Sequence, residues 1–126
     1  MDKKVGVGYL LGDAENMYLQ AKLCLDGKNY NLLMFSNRKR SKGLPNFFVK
    51  RKKLSGEGYE IIGKGWTIQK PEIRFVRYSI FVDGKNYAVL GFRRFKDMSA
   101  WKPGEPYYNF VLKKTKEEEN NESQIF

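Results

Sequence analysis

The side chains of this sequence best suited to chemistry are cations and aromatic rings, and they recur together. Arg38-Lys39-Arg40 and Arg93-Arg94 follow matching segments in the two halves of the chain, and Lys50-Arg51 falls between them. Phe75, Arg77 and Phe81 alternate along one short segment, with Trp101 and Tyr107 further on. Guanidinium and ammonium groups neutralise phosphates whatever the base sequence, and flat rings stack on unpaired bases. This is the chemistry of binding rather than of bond-making. The residues expected to contact a nucleic acid are therefore Arg38, Lys39, Arg40, Lys50, Arg51, Phe75, Arg77, Phe81, Arg93, Arg94, Trp101 and Tyr107. A duplex has less use for so many rings, and the chain shows no obvious recognition helix.

Catalytic classes fare poorly. None of the 126 residues is histidine, which removes serine and cysteine triads built on imidazole and every histidine metal site. The single cysteine, Cys24, can form neither an internal disulfide nor a thiolate zinc site, and it reads as a partly buried small residue. The carboxylates before the C-terminal segment are scattered, and Asp26 and Asp83 are accounted for as turn residues. Gly6-Val-Gly8 and Gly63-Lys-Gly65 lack the spacing and the following Lys-Ser/Thr of a phosphate loop, and they read as bends or points of close strand approach. No catalytic residue, metal or cofactor is expected.

Charge points the same way as the rings. Lys and Arg number 24 against 14 Asp and Glu, a formal net charge of +10. Four of the acids, Glu117, Glu118, Glu119 and Glu122, lie in the last ten residues, which carry no base. The remaining body has 24 bases against 10 acids and should attract phosphates or another anionic surface. No apolar stretch approaches the roughly 20 residues of a membrane span, and no apolar leader run follows Met-Asp-Lys-Lys. A cytoplasmic protein without membrane contact is expected.

The elements that position these groups emerge from an internal repeat. Asp26-Gly-Lys-Asn-Tyr30 recurs as Asp83-Gly-Lys-Asn-Tyr87, and ten of thirty positions are identical between 6–35 and 63–92 without a gap. The segment from Pro45 to Lys50 then matches the region from Pro106 to Lys113. The repeat resolves an ambiguous segment. Residues 13–25 alone have good helix formers behind Asp13 as a cap, but the matching Arg74–Val82 is β-branched, aromatic and alternating. Copies of one unit share a conformation, so both are strands, and Asp-Gly in each copy supplies a tight hairpin turn.

The fold expected is all-β. Two tandem copies of a four-stranded antiparallel unit, at about 3–53 and 60–114, share one pseudo-symmetric core in a sheet-like or barrel-like domain over 1–116, with an acidic flexible tail at 117–126. The predicted strands are 5–11, 18–25, 29–36, 46–52, 60–69, 75–82, 86–93 and 107–114. Alternation places Leu19, Ala21, Leu23, Leu25, Val76, Tyr78, Ile80 and Val82 inward, and turns Phe75, Arg77, Ser79 and Phe81 to the other face. Trp66 is either core, because Tyr9 matches it and glycines flank both, or a further stacking ring.

The last ten residues end in Gln124-Ile125-Phe126 after the acidic stretch. They resemble the C-terminal tip of bacterial and some phage single-stranded-DNA-binding proteins, departing from it in having Gln before Ile-Phe and fewer acids. The resemblance implies that Ile125 and Phe126 dock on a replication or repair protein, with Glu117, Glu118, Glu119 and Glu122 as the acidic stretch. The body is faintly similar to a small uncharacterised β-family of plasmids and phages, through Gly-Val-Gly-Tyr, Gly-Lys-Gly-Trp and Pro45-Asn-Phe-Phe48. The expected function is therefore binding of single-stranded nucleic acid, DNA before RNA on the strength of the tail, by a chain for which an oligomer is compatible. The alternative is a small phage- or plasmid-type regulator or inhibitor that binds an acidic protein.

Overall fold

The computed structural model describes residues 3–12, 16–39, 41–95 and 98–113. Eight strands follow in chain order: β1 (Lys3–Leu11), β2 (Tyr18–Leu25), β3 (Lys28–Ser36), β4 (Phe47–Lys52), β5 (Tyr59–Gln69), β6 (Arg74–Val82), β7 (Lys85–Arg93) and β8 (Tyr108–Leu112). A single turn of 3-10 helix, Met98–Ala100, precedes β8. Each strand pairs antiparallel with the next, and β8 pairs with β1, closing the sheet into a barrel. Closure removes the free edges that an open sheet would present.

Local chemistry sets the hairpins. At Asp26-Gly27 both central residues have positive φ, 50° and 79°, and at Asp83-Gly84 the values are 49° and 78°. Two consecutive positive φ angles make the twist of a two-residue turn match that of its strands, and Asp-Gly is among the few pairs that adopt them. The turns pin the registers Leu25–Lys28 and Val82–Lys85, from which alternation follows along the strands. Pairs at matching positions of the two halves take matching register: Gly8–Ala21 and Gly65–Tyr78, Leu33–Lys50 and Leu90–Val111, Val49–Gly63 and Phe110–Gly6.

An eight-stranded barrel is just wide enough for side chains to fill. Here Tyr78 and Phe110, both fully buried, meet edge to face at 6.1 Å in the middle. The neighbouring strands must be bare beside these rings. A Cβ on Gly65 would lie 2.6 Å from the Tyr78 ring, and one on Gly8 would lie 2.8 Å from the Phe110 ring. The corresponding positions to Tyr78 and Phe110 in the first half carry the smaller Ala21 and Val49, so the bulk at this level comes from the second half.

The core faces are those expected from alternation: Leu19, Ala21, Leu23, Leu25, Val76, Tyr78, Ile80 and Val82 are all buried. One expectation is corrected and one open choice is decided. Cys24 is exposed on the outer side of β2, because it has the parity opposite to Leu23 and Leu25. Trp66 is half-buried on the outer side of β5 rather than in the core, because its neighbour Gly65 is the residue that faces Tyr78.

The two rims differ. At the turn rim, Tyr30 donates its hydroxyl to Asp83 Oδ2 and Tyr87 donates to Asp26 Oδ2, both at 2.6 Å. Each half thus ties its tyrosine to the other half's turn. At the loop rim Trp101 donates its indole N–H to the Glu105 carbonyl and meets Tyr107 edge to face at 5.7 Å. The Tyr107 backbone N–H donates to the Gly8 carbonyl, which seats this aromatic segment against β1.

Candidate nucleic-acid interface

The barrel distributes the expected binding residues over three places. Strands of alternating direction carry sequence neighbours to opposite rims, and alternation carries adjacent residues to opposite faces.

At the loop rim lie Arg38, Lys39, Arg93, Arg94, Trp101 and Tyr107. Arg38 is exposed and donates to Asn16 Oδ1 at 2.9 Å, and the Lys39 backbone N–H donates to Asn37 Oδ1. Arg94 donates to the Pro106 carbonyl at 3.3 Å and its guanidinium covers the Phe95 ring. Tyr107 is buried, at 7% exposure, between Trp101 and Tyr108. These two rings are packed components of the rim, not open platforms. Arg40 and the tail residues Glu117, Glu118, Glu119, Glu122, Ile125 and Phe126 lie outside the described residues.

Lys50, Phe75, Arg77 and Phe81 stand on the barrel's outer wall, Phe75 towards the loop rim and Phe81 towards the turn rim. Phe75 stacks on Phe92 across β6 and β7 at 5.4 Å, with the Lys70 ammonium 5.9 Å from the Phe75 centroid. The matching positions of the first half repeat the ring pair, Tyr18 stacking on Phe35 at 5.1 Å, and there a cation from a different position, Lys50, lies 4.9 Å from the Phe35 centroid. Arg77 stands directly opposite Trp66 in the β5–β6 ladder and is exposed.

Arg51 lies apart from its neighbour Lys50. It is at the turn rim, its side chain 19% exposed, 3.4 Å from Asp83 Oδ1 and 5.5 Å from the Tyr30 ring centroid. The Tyr30 hydroxyl, then Arg51 and Lys28, hold the Asp83 carboxyl below the usual carboxylate range. The Tyr87 hydroxyl and Lys85 do the same for Asp26. Bonding to these carboxylates pushes Tyr30 and Tyr87 up to about 12.

A concavity of about 570 Å³ opens on the outer side of β5 and β6 near the turn rim. Glu60, Ile61, Lys64, Trp66, Ser79, Phe81 and Asn86 line it, and Arg51 and Asp83 close its end. Phe81 is 58% exposed and Ile61 57%, unusual for apolar side chains of this size. The Ser79 hydroxyl donates to Asn86 Oδ1 at 3.2 Å, fixing the amide beside Phe81. Lys64 and Arg77 project from the same wall, exposed. Of these residues the sequence reading had Arg51, Arg77 and Phe81, with Trp66 as one alternative; it missed Lys64, Ile61, Ser79 and Asn86. The signal for Lys64 was its place between Gly63 and Gly65, two inward positions that force it outward.

Comparison with family models, curated proteins and solved structures found no match to this chain.

Proposed function

We propose that the outer wall of β4–β7 binds single-stranded nucleic acid, with Trp66 and Phe81 as base-stacking rings and Lys50, Lys64 and Arg77 as phosphate partners. The observation that carries this reading is the open concavity in which the exposed Phe81 ring and the half-buried Trp66 stand beside Lys64, with Glu60 also on the lining and Arg51 held to Asp83 at its end. A packed face would bury Phe81, and a merely solvated face would not concentrate Phe81, Ile61 and Trp66 on one wall. Stacking is worth about 1–3 kcal/mol per base and is indifferent to base identity, and the cations add an affinity that falls with salt. DNA is preferred to RNA on the resemblance of the C-terminal segment alone, and that segment would dock a replication or repair protein. The protein acts as a binder, not an enzyme.

The outer wall carries Lys22, Lys50, Lys64 and Arg77 while the interior is apolar. This is the reverse of a membrane barrel, whose outer band is apolar, and it supports a water-facing surface. No helix among the described residues is long and apolar enough to cross a membrane.

A second reading rests on the apolar residues beside the concavity. Leu54 is 82% exposed and Tyr59 55%, next to Ile61, and such a patch also fits a protein partner with acidic residues around an apolar centre. Fluorescence anisotropy with an oligonucleotide of about 20 bases, single-stranded and then duplex, at two salt concentrations separates the two. Submicromolar binding that prefers the single strand, with a log–log salt slope near −0.7 per phosphate contacted, supports the first. Weak binding, equal for both forms and gone at about 0.2 M salt, rejects it in favour of a protein partner.

A further inference from the structure

Two arginines meet at the loop rim without a carboxylate between them. Arg74 opens β6 and Arg93 closes β7, and each stands two residues beyond the Val76–Gly91 pair, so register sets them opposite one another. Both are exposed at the barrel's mouth, with the same parity as the buried Val76 and Gly91. Like charges placed opposite each other across a ladder repel. Among the described residues neither arginine forms an ion pair with Asp or Glu; the ion pairs there involve Asp26 and Asp83 at the far rim.

Both arginines line a cavity of about 150 Å³, together with Phe47, Thr67, Tyr107 and Tyr108. At roughly 30 Å³ per water, that is space for one tetrahedral oxyanion and a little solvent. Arg93 shares a side-chain hydrogen bond with Tyr107, and the charges of both arginines bear on the Tyr108 hydroxyl. Phe47 rests against the Tyr78 ring at 6.2 Å, and the Tyr78 hydroxyl is buried with no hydrogen-bond partner. Two guanidinium forks and several hydroxyl donors around a small cavity, with no acid to neutralise them, match the donor-only demand of a phosphate.

We propose that the cavity between Arg74 and Arg93 binds a phosphate group, bridged by the two guanidiniums with Thr67, Tyr107 and Tyr108 as further donors. The site lies at the rim opposite the β5–β6 concavity and stands whether or not that wall binds nucleic acid. Its phosphate comes either from solution or from the end of a strand.

The test titrates the full chain with sodium phosphate against sodium chloride at matched ionic strength and reads melting temperature and heat of binding. Phosphate at ten times its Kd raises the melting temperature by about 5 °C over chloride. Arg74→Gln weakens phosphate at least about tenfold while leaving the melting temperature in chloride unchanged or higher, since it relieves repulsion. Arg93→Gln weakens phosphate similarly; if loss of its bond to Tyr107 prevents folding, Arg74→Gln carries the comparison. No rise over chloride for the wild-type chain, or unaltered phosphate affinity in Arg74→Gln, overturns the proposal. In a second arm, tighter binding of an oligonucleotide bearing a 5′-phosphate than of its 5′-hydroxyl form, lost in Arg74→Gln, identifies a strand end as the source. Equal binding of the two oligonucleotides, with free phosphate still bound, identifies solution phosphate. Phosphate failing while the 5′-hydroxyl strand binds sinks this site and leaves the outer wall intact.

Discussion

Removing one oxygen from the centre of this barrel should make it more stable. Tyr78 is 1% exposed, its ring held between Gly65 and Gly91 and against Phe47 and Phe110, and its hydroxyl has no hydrogen-bond partner. Burial pushes its ionisation far up, the mark of a group cut off from water. An unpartnered buried hydroxyl costs about 1–3 kcal/mol in desolvation, and Tyr78→Phe deletes that cost while keeping every ring contact. The expected gain is therefore about 1–2 kcal/mol, near 4 °C in melting temperature per kcal/mol for a domain of this size. Urea denaturation at pH 7 measures it, with an unchanged m-value expected because the exposed area is the same. A loss of about 1 kcal/mol or more would refute the reasoning, for it would mean that the hydroxyl makes a net favourable hydrogen bond.

Other consequences follow from the same contacts. Gly65→Ala sets a methyl 2.6 Å from two ring carbons of Tyr78 and should cost about 1–3 kcal/mol in urea denaturation, most of it recovered in a Tyr78→Leu background. The rim clasps give stability two pH limits. The depressed Asp26 and Asp83 contribute fully above their ordinary value of 3.8 and lose that contribution as pH falls through the lower folded values. Tyr30 and Tyr87, raised from 10.0 to about 12, contribute fully below pH 10.0 and lose it as pH rises towards 12. Melting temperature should thus decline on both sides of that window, and Tyr30→Phe with Tyr87→Phe should flatten the alkaline limb. On the outer wall, Phe81→Ala should weaken single-strand binding about tenfold with little change in melting temperature, while Phe92→Ala, which removes packing under Phe75, should lower the melting temperature instead.

Much of this fold was legible in the residues because alternation and turn chemistry are local. Val76, Tyr78, Ile80 and Val82 declare an inward face, and Asp-Gly with positive φ at both residues fixes each hairpin and its register. Closure was legible only as one of two options, a sheet or a barrel. It depends on β1 meeting β8, a pairing between the two ends of the domain for which no short motif exists. The clasps were missed for a related reason. Asp26 and Asp83 have a complete local explanation as turn residues, and only the assembled barrel sets each opposite a tyrosine of the other half.

The candidate site was legible in kind but not in place. Lys50 and Arg51 are neighbours in sequence, yet the outer wall takes one and the turn rim the other. Arg93 and Tyr107 read as binding residues by their types, and their inward parity puts them at the loop rim, where Tyr107 is buried. Phe81 and Arg77 kept their expected face because both lie within the regular β6–β7 ladder, where parity alone decides. The concavity around Phe81 required β5 beside β6, and so Lys64 and Ile61 entered only with the ladder.

Backbone amide and indole chemical shifts, followed by heteronuclear NMR as a single-stranded oligonucleotide is added, test the central claim most directly. The account predicts perturbations concentrated at Lys64, Trp66, Arg77, Ser79, Phe81 and Asn86, with the outer wall of β2 and β3 affected less. Shifts that leave this wall unmoved on saturation, or that centre on another surface, would contradict it.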